Sequence, residues 1–143
     1  MASDTISHYK LIEKIGKGGM GVVWKARDTL LDREVALKFL PEASASDPAR
    51  RERFIREAKA ASALNHPNIV TIYEIASADG RLFIAMELIR GQPLSSLLKK
   101  RKPLAPGEAA DYAVQLFDGL GAAHRDGIVH RDVKPSNIMV THE

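Results

Sequence analysis

The sequence predicts an α+β fold in which a five-stranded antiparallel sheet with one inserted helix is followed by helices. Two observations predict it. Up to about Leu88, short apolar segments alternate with glycine, aspartate and proline turns, with one helical pattern among them. Beyond Gly91-Gln92-Pro93, which breaks the pattern, the apolar spacing is mostly helical. At 143 residues and 45% hydrophobic, the chain has the composition of an ordinary soluble domain.

Five segments have strand-like composition. They are bounded by the glycines between positions 16 and 21, by Asp32, by Pro41, and by the polar turn Ala78-Asp79-Gly80. The predicted strands cover residues 11–15, 21–26, 34–40, 69–75 and 82–88.

Three segments are predicted to be helical. The first begins at Asp47-Pro48, because aspartate is a favoured cap and proline a favoured first helical residue, and it ends near Asn65-His66-Pro67. A short helix is predicted over 94–100 and a longer one from Pro106 to about Arg125. The longer helix carries an apolar face, and another strand begins at 138. That face comprises Ala110, Ala113, Val114, Phe117, Leu120 and Gly121.

Composition excludes several classes of function. Without cysteine there is no disulfide framework, no thiolate metal site and no cysteine nucleophile, which suits a reducing cytoplasm. The net charge of +3 is too small to indicate nucleic-acid binding. Residues 1–10 lack the apolar core of a signal peptide, and no apolar run is long enough to span a bilayer. We therefore expect a cytoplasmic chain with no nucleic-acid partner and no membrane segment.

A glycine-rich segment lies between the first two predicted strands. Residues 16–23, Gly-Lys-Gly-Gly-Met-Gly-Val-Val, fit the pattern G-x-G-x-x-G-x-V. Such glycines let backbone N–H groups close over phosphates, although the same residues also suit an ordinary hairpin turn. A dinucleotide-binding fold requires a helix directly after the glycines, whereas here a strand follows. A Walker A loop is excluded because Gly-Lys-Ser/Thr is absent.

Lys38 and Glu57 are the next candidates. Lys38 is a single charge near the end of the apolar strand Val35-Ala36-Leu37-Lys38, and Glu57 lies on the first helix. Each residue taken alone is more typical of a solvated surface. Together with the glycines they indicate a phosphate-binding lysine held by a carboxylate on an adjacent helix.

The octet at residues 130–137, His-Arg-Asp-Val-Lys-Pro-Ser-Asn, is the most specific motif. Asp132 could accept or orient the proton of a substrate hydroxyl, and Lys134 could neutralise a phosphoryl group in transfer. Asn137 offers an amide oxygen of the kind that suits Mg²⁺. A solvated polar turn is the alternative. Five specified residues at fixed spacing, after two compatible motifs, favour phosphoryl-transfer chemistry.

These motifs, in this order, resemble the N-terminal half of a eukaryotic-type protein kinase domain, most like the bacterial serine/threonine kinases. The resemblance covers about residues 9–140 and includes His66-Pro67-Asn68-Ile69-Val70. It implies a kinase small lobe over 9–90 that binds ATP. It also implies a partial helical large lobe over 91–143, ending just after the catalytic loop.

The resemblance implies a role for each site residue. Asp132 would be the catalytic base, Lys134 would neutralise the phosphoryl group in transfer, and Asn137 would hold Mg²⁺. Lys38 would bind the ATP phosphates and pair with Glu57. The adenine and phosphate contacts would come from Ile15, Gly16, Lys17, Gly18, Gly19, Met20, Gly21, Val23, Ala36, Met86, Glu87, Ile89 and Met139. In this group Val23, Ala36 and Met139 enclose the adenine, Met86 is the gatekeeper, and Glu87 and Ile89 contribute backbone groups.

Two features depart from the family pattern. Pro93 stands where many relatives carry an acid, and Ala61 where a larger apolar residue is common. The sequence also contains no Asp-Phe-Gly, whose aspartate holds the second part of the metal site. We therefore expect a truncated or incompletely sequenced kinase gene whose 143-residue product has very low activity. A non-catalytic nucleotide- or partner-binding module is the alternative, and a small-molecule phosphotransferase fits the lysine-containing octet less well.

Overall fold

The structure is a computed structural model that describes residues 5–18, 21–41, 46–100, 103–128 and 133–142. The chain forms two compact units. The first comprises Met1–Ala63 with Thr71–Leu88, and the second comprises Leu64–Val70 with Ile89–Glu143. Residues 64–70 therefore belong to the second unit, although the sequence prediction grouped them with the strands of the small lobe.

The first unit is built on a sheet that has six strands within the described residues. All neighbouring strands are antiparallel, and the order is β1-β2-β3-β4-β6-β5 because β4 pairs with β6. The strands are β1 Thr5–Ile6, β2 Tyr9–Gly18, β3 Gly21–Asp28, β4 Arg33–Phe39, β5 Ile72–Ala78 and β6 Arg81–Glu87.

The sheet differs from the predicted one in two ways. The prediction of five strands is wrong by one, since β1 adds a two-residue edge strand too short to show an alternating pattern. The predicted strand 69–75 begins later, at Ile72. The preceding residues form a turn instead, in which the amide of Ile69 donates to the carbonyl of His66 at 3.0 Å.

One face of the sheet forms the core of the first unit. Alternate residues of β4, namely Val35, Leu37 and Phe39, are buried on this face, as period-2 geometry requires. The Phe83 ring packs at 5.6 Å from that of Phe39 and edge-on to Tyr9. Because the apolar residues of β4 take this face, the intervening residues of the same strand lie on the other one.

Helix α1, Pro48–Ser62, packs against β5. The side chain of Asp47 caps it by accepting a hydrogen bond from the amide of Ala49 at 3.0 Å, so the predicted start is confirmed. Ala58 is the buried residue of the helix, and its small side chain permits a close approach to the sheet. The helix ends where the amide of Ala63 bonds back to the carbonyl of Ala60.

The second unit contains two helices and a small sheet. Helices α2, Leu94–Lys100, and α3, Pro106–Arg125, have the predicted bounds. Strand β7, Gly91–Pro93, pairs antiparallel with β8, Met139–Thr141. The approach is so close that a Cβ on Gly91 would lie 1.9 Å from the carbonyl oxygen of Val140. A glycine is therefore required at position 91.

Helix α3 packs through small residues. Gly119 lies against Asn68 and Ile69, and the Asn68 amide group donates to the Gln115 side chain at 3.3 Å. Three members of the predicted apolar face are exposed instead: Ala110, Val114 at 62% and Phe117 at 67%. Within the described residues no helix is both long and apolar enough to cross a membrane.

Candidate functional site

The sheet face opposite the core of the first unit carries a row of predicted site residues. Gly16 pairs with Val23, Val23 with Lys38, and Lys38 with Ile84. Directly paired residues project to the same face with Cβ atoms about 4.5–5.5 Å apart, so these side chains are neighbours. A parallel row holds Ala36 opposite Met86. The strand register thus brings together residues that are far apart in sequence.

Lys38 is a cation in apolar surroundings. Its paired neighbours are Val23 and Ile84, and burial lowers the pKa of its ammonium group below the ordinary value. The carboxylate of Glu57 opposes this effect and raises the same pKa, so Glu57 lies near enough to act on the lysine. No ion pair within 4.0 Å joins the two, although both lie in the part of the chain that the structure describes. Glu57 is itself exposed on α1.

The side chains paired with Lys38 are apolar, and so are those of the neighbouring row. Ala36 is buried and contributes only a methyl group beside Met86, while Val23 is half-buried. A flat apolar surface ending at a cation suits a ligand that has a planar apolar part and an anionic part.

The glycine-rich segment connects β2 to β3. Gly18 pairs with Gly21, and Lys17 pairs with Val22, so the strands continue into the turn. Gly21 has a φ of +114°, and a Cβ there would lie 2.2 Å from the carbonyl oxygen of Phe39. Only glycine fits this position. Gly19 and Met20, also predicted to bind phosphates, lie outside the described residues.

Ile15 lies next to this turn. The pairing of β2 with β3 shifts register between Lys14 and Gly16, and Ile15 falls at that irregularity, with 46% of its surface exposed. A bulge of this kind locally redirects a side chain. Ile15 therefore offers an exposed apolar surface one residue before Gly16.

The end of β6 is tied to the segment before β5. The amide of Glu87 donates to the carbonyl of Thr71 at 2.8 Å, and the amide of Thr71 donates to the Glu87 carboxylate at 3.1 Å. These two bonds fix the backbone directly after Met86. Ile89, the other residue predicted to offer backbone groups, is half-buried and is the first residue of the longer segment of the second unit.

The second unit holds the described part of the octet. Lys134 is exposed and immediately precedes a 3₁₀ turn, Pro135–Asn137, in which the amide of Asn137 donates to the carbonyl of Lys134 at 2.9 Å. Met139 follows on β8 and is 39% exposed. Asp132, with His130 and Arg131, lies outside the described residues.

Sequence reasoning missed one residue of the candidate face. Ile84 is the cross-strand neighbour of Lys38, and its position two residues before Met86 on one strand was the available signal. His66 was not assigned any chemistry. It accepts a hydrogen bond from the amide of Asn68 at 3.0 Å and stabilises the turn after α1.

Comparison with known proteins agrees with this arrangement. The family description "Protein kinase domain" matches residues 9–143, so the chain belongs to the protein kinase family. The crystal structure of the Mycobacterium tuberculosis PknI kinase domain superimposes with a TM-score of 0.88 at 33% sequence identity, covering 100% of this chain and 58% of that one. The predicted protein-kinase-like fold is therefore confirmed.

Two curated relatives are bacterial serine/threonine kinases. Serine/threonine-protein kinase PknE of Mycobacterium tuberculosis (strain ATCC 25618 / H37Rv) is 44% identical over 133 residues, which are 93% of this chain and 24% of that protein. Serine/threonine-protein kinase pkn3 of Myxococcus xanthus is 47% identical over 133 residues, 92% of this chain and 24% of that protein. The chain spans about a quarter of the length of these curated relatives. The predicted resemblance to bacterial serine/threonine kinases is confirmed.

Proposed function

We propose that this chain is the nucleotide-binding part and the start of the catalytic part of an ATP-dependent protein serine/threonine kinase. The observation that supports this most directly is Lys38, a partly desolvated cation on the apolar face formed with Val23, Ala36 and Met86. The relatives named serine/threonine-protein kinase support the choice of reaction. The substrates are then ATP and a serine or threonine hydroxyl of a protein.

The first unit would hold the nucleotide. The adenine lies on the surface of Val23 and Ala36, with Met86 limiting its depth, and Lys38 neutralises the α- and β-phosphates. Glycine backbone amides from position 16 onward cover the phosphates. A bound anionic phosphate raises the pKa of Lys38, because a nearby anion favours the charged ammonium group that burial disfavours. The roles of Ile15, Glu87, Ile89 and Met139 stay predictions.

The octet would carry out transfer. Asp132 accepts the proton of the substrate hydroxyl while the hydroxyl oxygen forms a bond to the γ-phosphorus of ATP. The bond between the γ-phosphorus and the bridging oxygen breaks, and that oxygen leaves with ADP. Lys134 offsets the charge on the phosphoryl group during this step. Both roles rest on the motif and on the relatives.

The residues of the octet supply only part of a magnesium site. The amide oxygen of Asn137 is a suitable hard ligand, and Mg²⁺ is commonly bound by one or two protein oxygens together with phosphates. The described residues contain no cluster of three or more histidine or acidic side chains that could hold a metal. When bound, the ion would supply charge neutralisation to the phosphates.

Low activity of the 143-residue chain is part of the proposal. The sequence contains no Asp-Phe-Gly, so one expected metal ligand is absent from these residues. Loss of metal stabilisation removes several kcal/mol of transition-state stabilisation, and about 1.4 kcal/mol corresponds to a factor of ten in rate. We also propose a cytoplasmic location, because ATP is the co-substrate and the chain has no cysteine.

Calorimetric titration with ATP and ADP, with and without Mg²⁺, tests the nucleotide site. Lys38→Met should weaken ADP binding at least about tenfold, since it removes a charge-assisted contact to phosphate. Lys25→Met is the matched control. Lys25 lies on the same sheet face opposite Ala36 and pairs with Glu34 at 3.5 Å, so its loss should change affinity less than about twofold. Equal effects of the two substitutions would contradict the proposed site.

A transfer assay with radiolabelled ATP and a generic protein substrate tests the reaction. We expect slow transfer that Asp132→Asn abolishes. If the chain binds ATP but shows no phosphate transfer that is lost in Asp132→Asn, the non-catalytic alternative is supported. Transfer at about 1–100 s⁻¹, the ordinary range for kinases, would refute the expectation of low activity.

A further inference from the structure

Strand β6 ends with a departure from regular antiparallel pairing. Ile72 of β5 pairs with Met86 of β6, so the next pair along the two strands is Thr71 with Glu87. In a regular pair of this kind the two residues exchange both of their backbone N–H···O=C bonds. The first bond is present, because the amide of Glu87 donates to the carbonyl of Thr71 at 2.8 Å. The second is replaced, because the amide of Thr71 donates to the Glu87 carboxylate at 3.1 Å.

This replacement leaves the backbone carbonyl of Glu87 without its usual donor in the ladder. Glu87 also pairs with Val35 of β4, on the other side of β6. A residue that exchanges bonds with one neighbouring strand turns its N–H and C=O groups away from the other strand, so β4 does not supply the donor instead. Backbone carbonyls are strong acceptors that are nearly always paired in folded proteins. The carbonyl of Glu87 is therefore suited to accept a hydrogen bond from a ligand.

The side chain of Glu87 competes well with its own carbonyl for the Thr71 amide. A hydrogen bond from an amide to a carboxylate is stronger than one to a neutral carbonyl, because the acceptor is charged. Glu87 is also half-buried, which limits competition from water. The substitution of side chain for backbone is thus favoured by the chemistry of the residue itself.

We propose that the carboxylate of Glu87 is a positioning group that gives the nucleotide site its selectivity for the base. By accepting from Thr71, it releases the Glu87 backbone carbonyl to accept from an exocyclic amino group of a purine that lies on Ala36 and Met86. The carboxylate acts through the backbone and does not touch the base. This inference rests on the proposed function and extends it to the residue that sets base selectivity.

Calorimetric titration with two nucleotides tests the selectivity. The diphosphate of purine riboside differs from ADP only in lacking the 6-amino group. We expect the unsubstituted chain to bind ADP about five- to tenfold more tightly, the effect of one hydrogen bond. Glu87→Met keeps the length of the side chain but removes its acceptor, so the carbonyl returns to Thr71 and the ratio should fall below about twofold. Glu87→Gln keeps an acceptor oxygen and should retain the ratio.

Two further variants separate positioning from general effects on the site. Glu74→Met removes a carboxylate from the adjacent strand β5, where it accepts from the Tyr9 hydroxyl. It should leave the ratio unchanged even if it lowers the urea midpoint followed by Trp24 fluorescence. Lys38→Met should weaken both nucleotides by the same factor, because both carry the same phosphates.

The outcomes distinguish this inference from the proposed function. Failure of the unsubstituted chain to bind ADP overturns both. If ADP binding depends on Lys38 but the ratio is the same in Glu87→Met and in the unsubstituted chain, only the role of Glu87 is overturned. An equal loss of the ratio in Glu74→Met also overturns that role, since the effect would then follow from destabilisation alone.

Nuclear magnetic resonance tests the replaced bond without any substitution. Scalar coupling through the hydrogen bond should join the Thr71 amide nitrogen to the side-chain carboxyl carbon of Glu87 in the isotope-labelled chain. In Glu87→Met the coupling should pass instead to the backbone carbonyl carbon of residue 87. Coupling to that backbone carbon in the unsubstituted chain, or no coupling to the carboxyl carbon, overturns the proposal whether or not the variants fold.

Discussion

Gly21→Ala tests whether the last glycine of the glycine-rich segment at residues 16–21 is required by packing. At this position φ is +114°, and an added Cβ would lie 2.2 Å from the Phe39 carbonyl oxygen and 3.2 Å from Pro41. Carbon–oxygen contacts normally begin at about 3.3 Å, so β3 and β4 must separate by about 1 Å. The neighbouring pair Val22 and Phe39 lies at the site of that separation.

The cost can be worked out from these contacts. Backbone strain at such a φ costs about 1–3 kcal/mol, and losing one ladder hydrogen bond costs about 1 kcal/mol. We therefore expect Gly21→Ala to lower the free energy of unfolding of the first unit by about 2–4 kcal/mol. With a urea m-value of about 2 kcal/mol/M, the midpoint falls by about 1–2 M. Nucleotide affinity should fall as well, because the same displacement moves the loop.

Urea unfolding followed by Trp24 fluorescence measures this change. Trp24 is the single tryptophan of the chain and lies on β3, the strand that contains Gly21. Gly80→Ala is the matched control. Gly80 also has a positive φ, +73°, but no atom lies within 4 Å of an added Cβ, so only the conformational cost of about 1–2 kcal/mol remains. If Gly21→Ala costs no more than Gly80→Ala, the steric argument is refuted.

Three further predictions concern other parts of the molecule. Burial lowers the Lys38 pKa, so the unfolded chain binds more protons at this group than the folded chain does. Lys38 therefore makes the free energy of unfolding rise with pH, up to the pKa of an unfolded lysine at about 10.4. Lys38→Met should remove that rise in urea titrations at several pH values, and an unchanged slope would contradict the burial of its charge. Asp47→Ala should cost about 1 kcal/mol in the same assay, because it removes the α1 cap; a loss below about 0.3 kcal/mol would mean that the cap is not formed. On α3, Gly121→Ala should raise the thermal midpoint measured by circular dichroism, whereas Gly119→Ala should not, because its Cβ would lie 3.1 Å from the Asn68 carbonyl oxygen.

Much of the secondary structure could be predicted from local signals. The bounds of α2 and α3 agree with the prediction, and so does the cap at Asp47, because proline, glycine and capping residues act within a few positions. The start of β5 was placed too early, at Ile69. That residue is β-branched and apolar, but hydrogen bonds to His66 from its own amide and from the amide of Asn68 hold it in a turn. Strand composition alone could not reveal those bonds.

The motifs predict the site residues but could not predict what surrounds them. The sequence indicated Lys38 and Glu57 as partners, and Glu57 lies near enough to raise the Lys38 pKa against the larger lowering effect of burial, yet no ion pair within 4.0 Å joins them. Ile84 beside Lys38 was not anticipated, since its position depends on the pairing of β4 with β6. A hollow lined by Tyr9, Asp28, Arg33 and Tyr73 was also unforeseen, because it joins residues from β2, β3, β4 and β5.

By itself, the sequence determined the family and the helix starts, and it carries the motifs on which the proposed chemistry rests. These depend on residue types at short fixed spacings, such as the glycine segment at 16–21 and the octet at 130–137. Only the tertiary structure decided which residues share a face. Strand order and register are set by which apolar faces can be buried together, here Val35, Leu37 and Phe39 against Phe83. Burying that face placed Ala36 and Lys38 on the opposite one, beside Val23 and Met86.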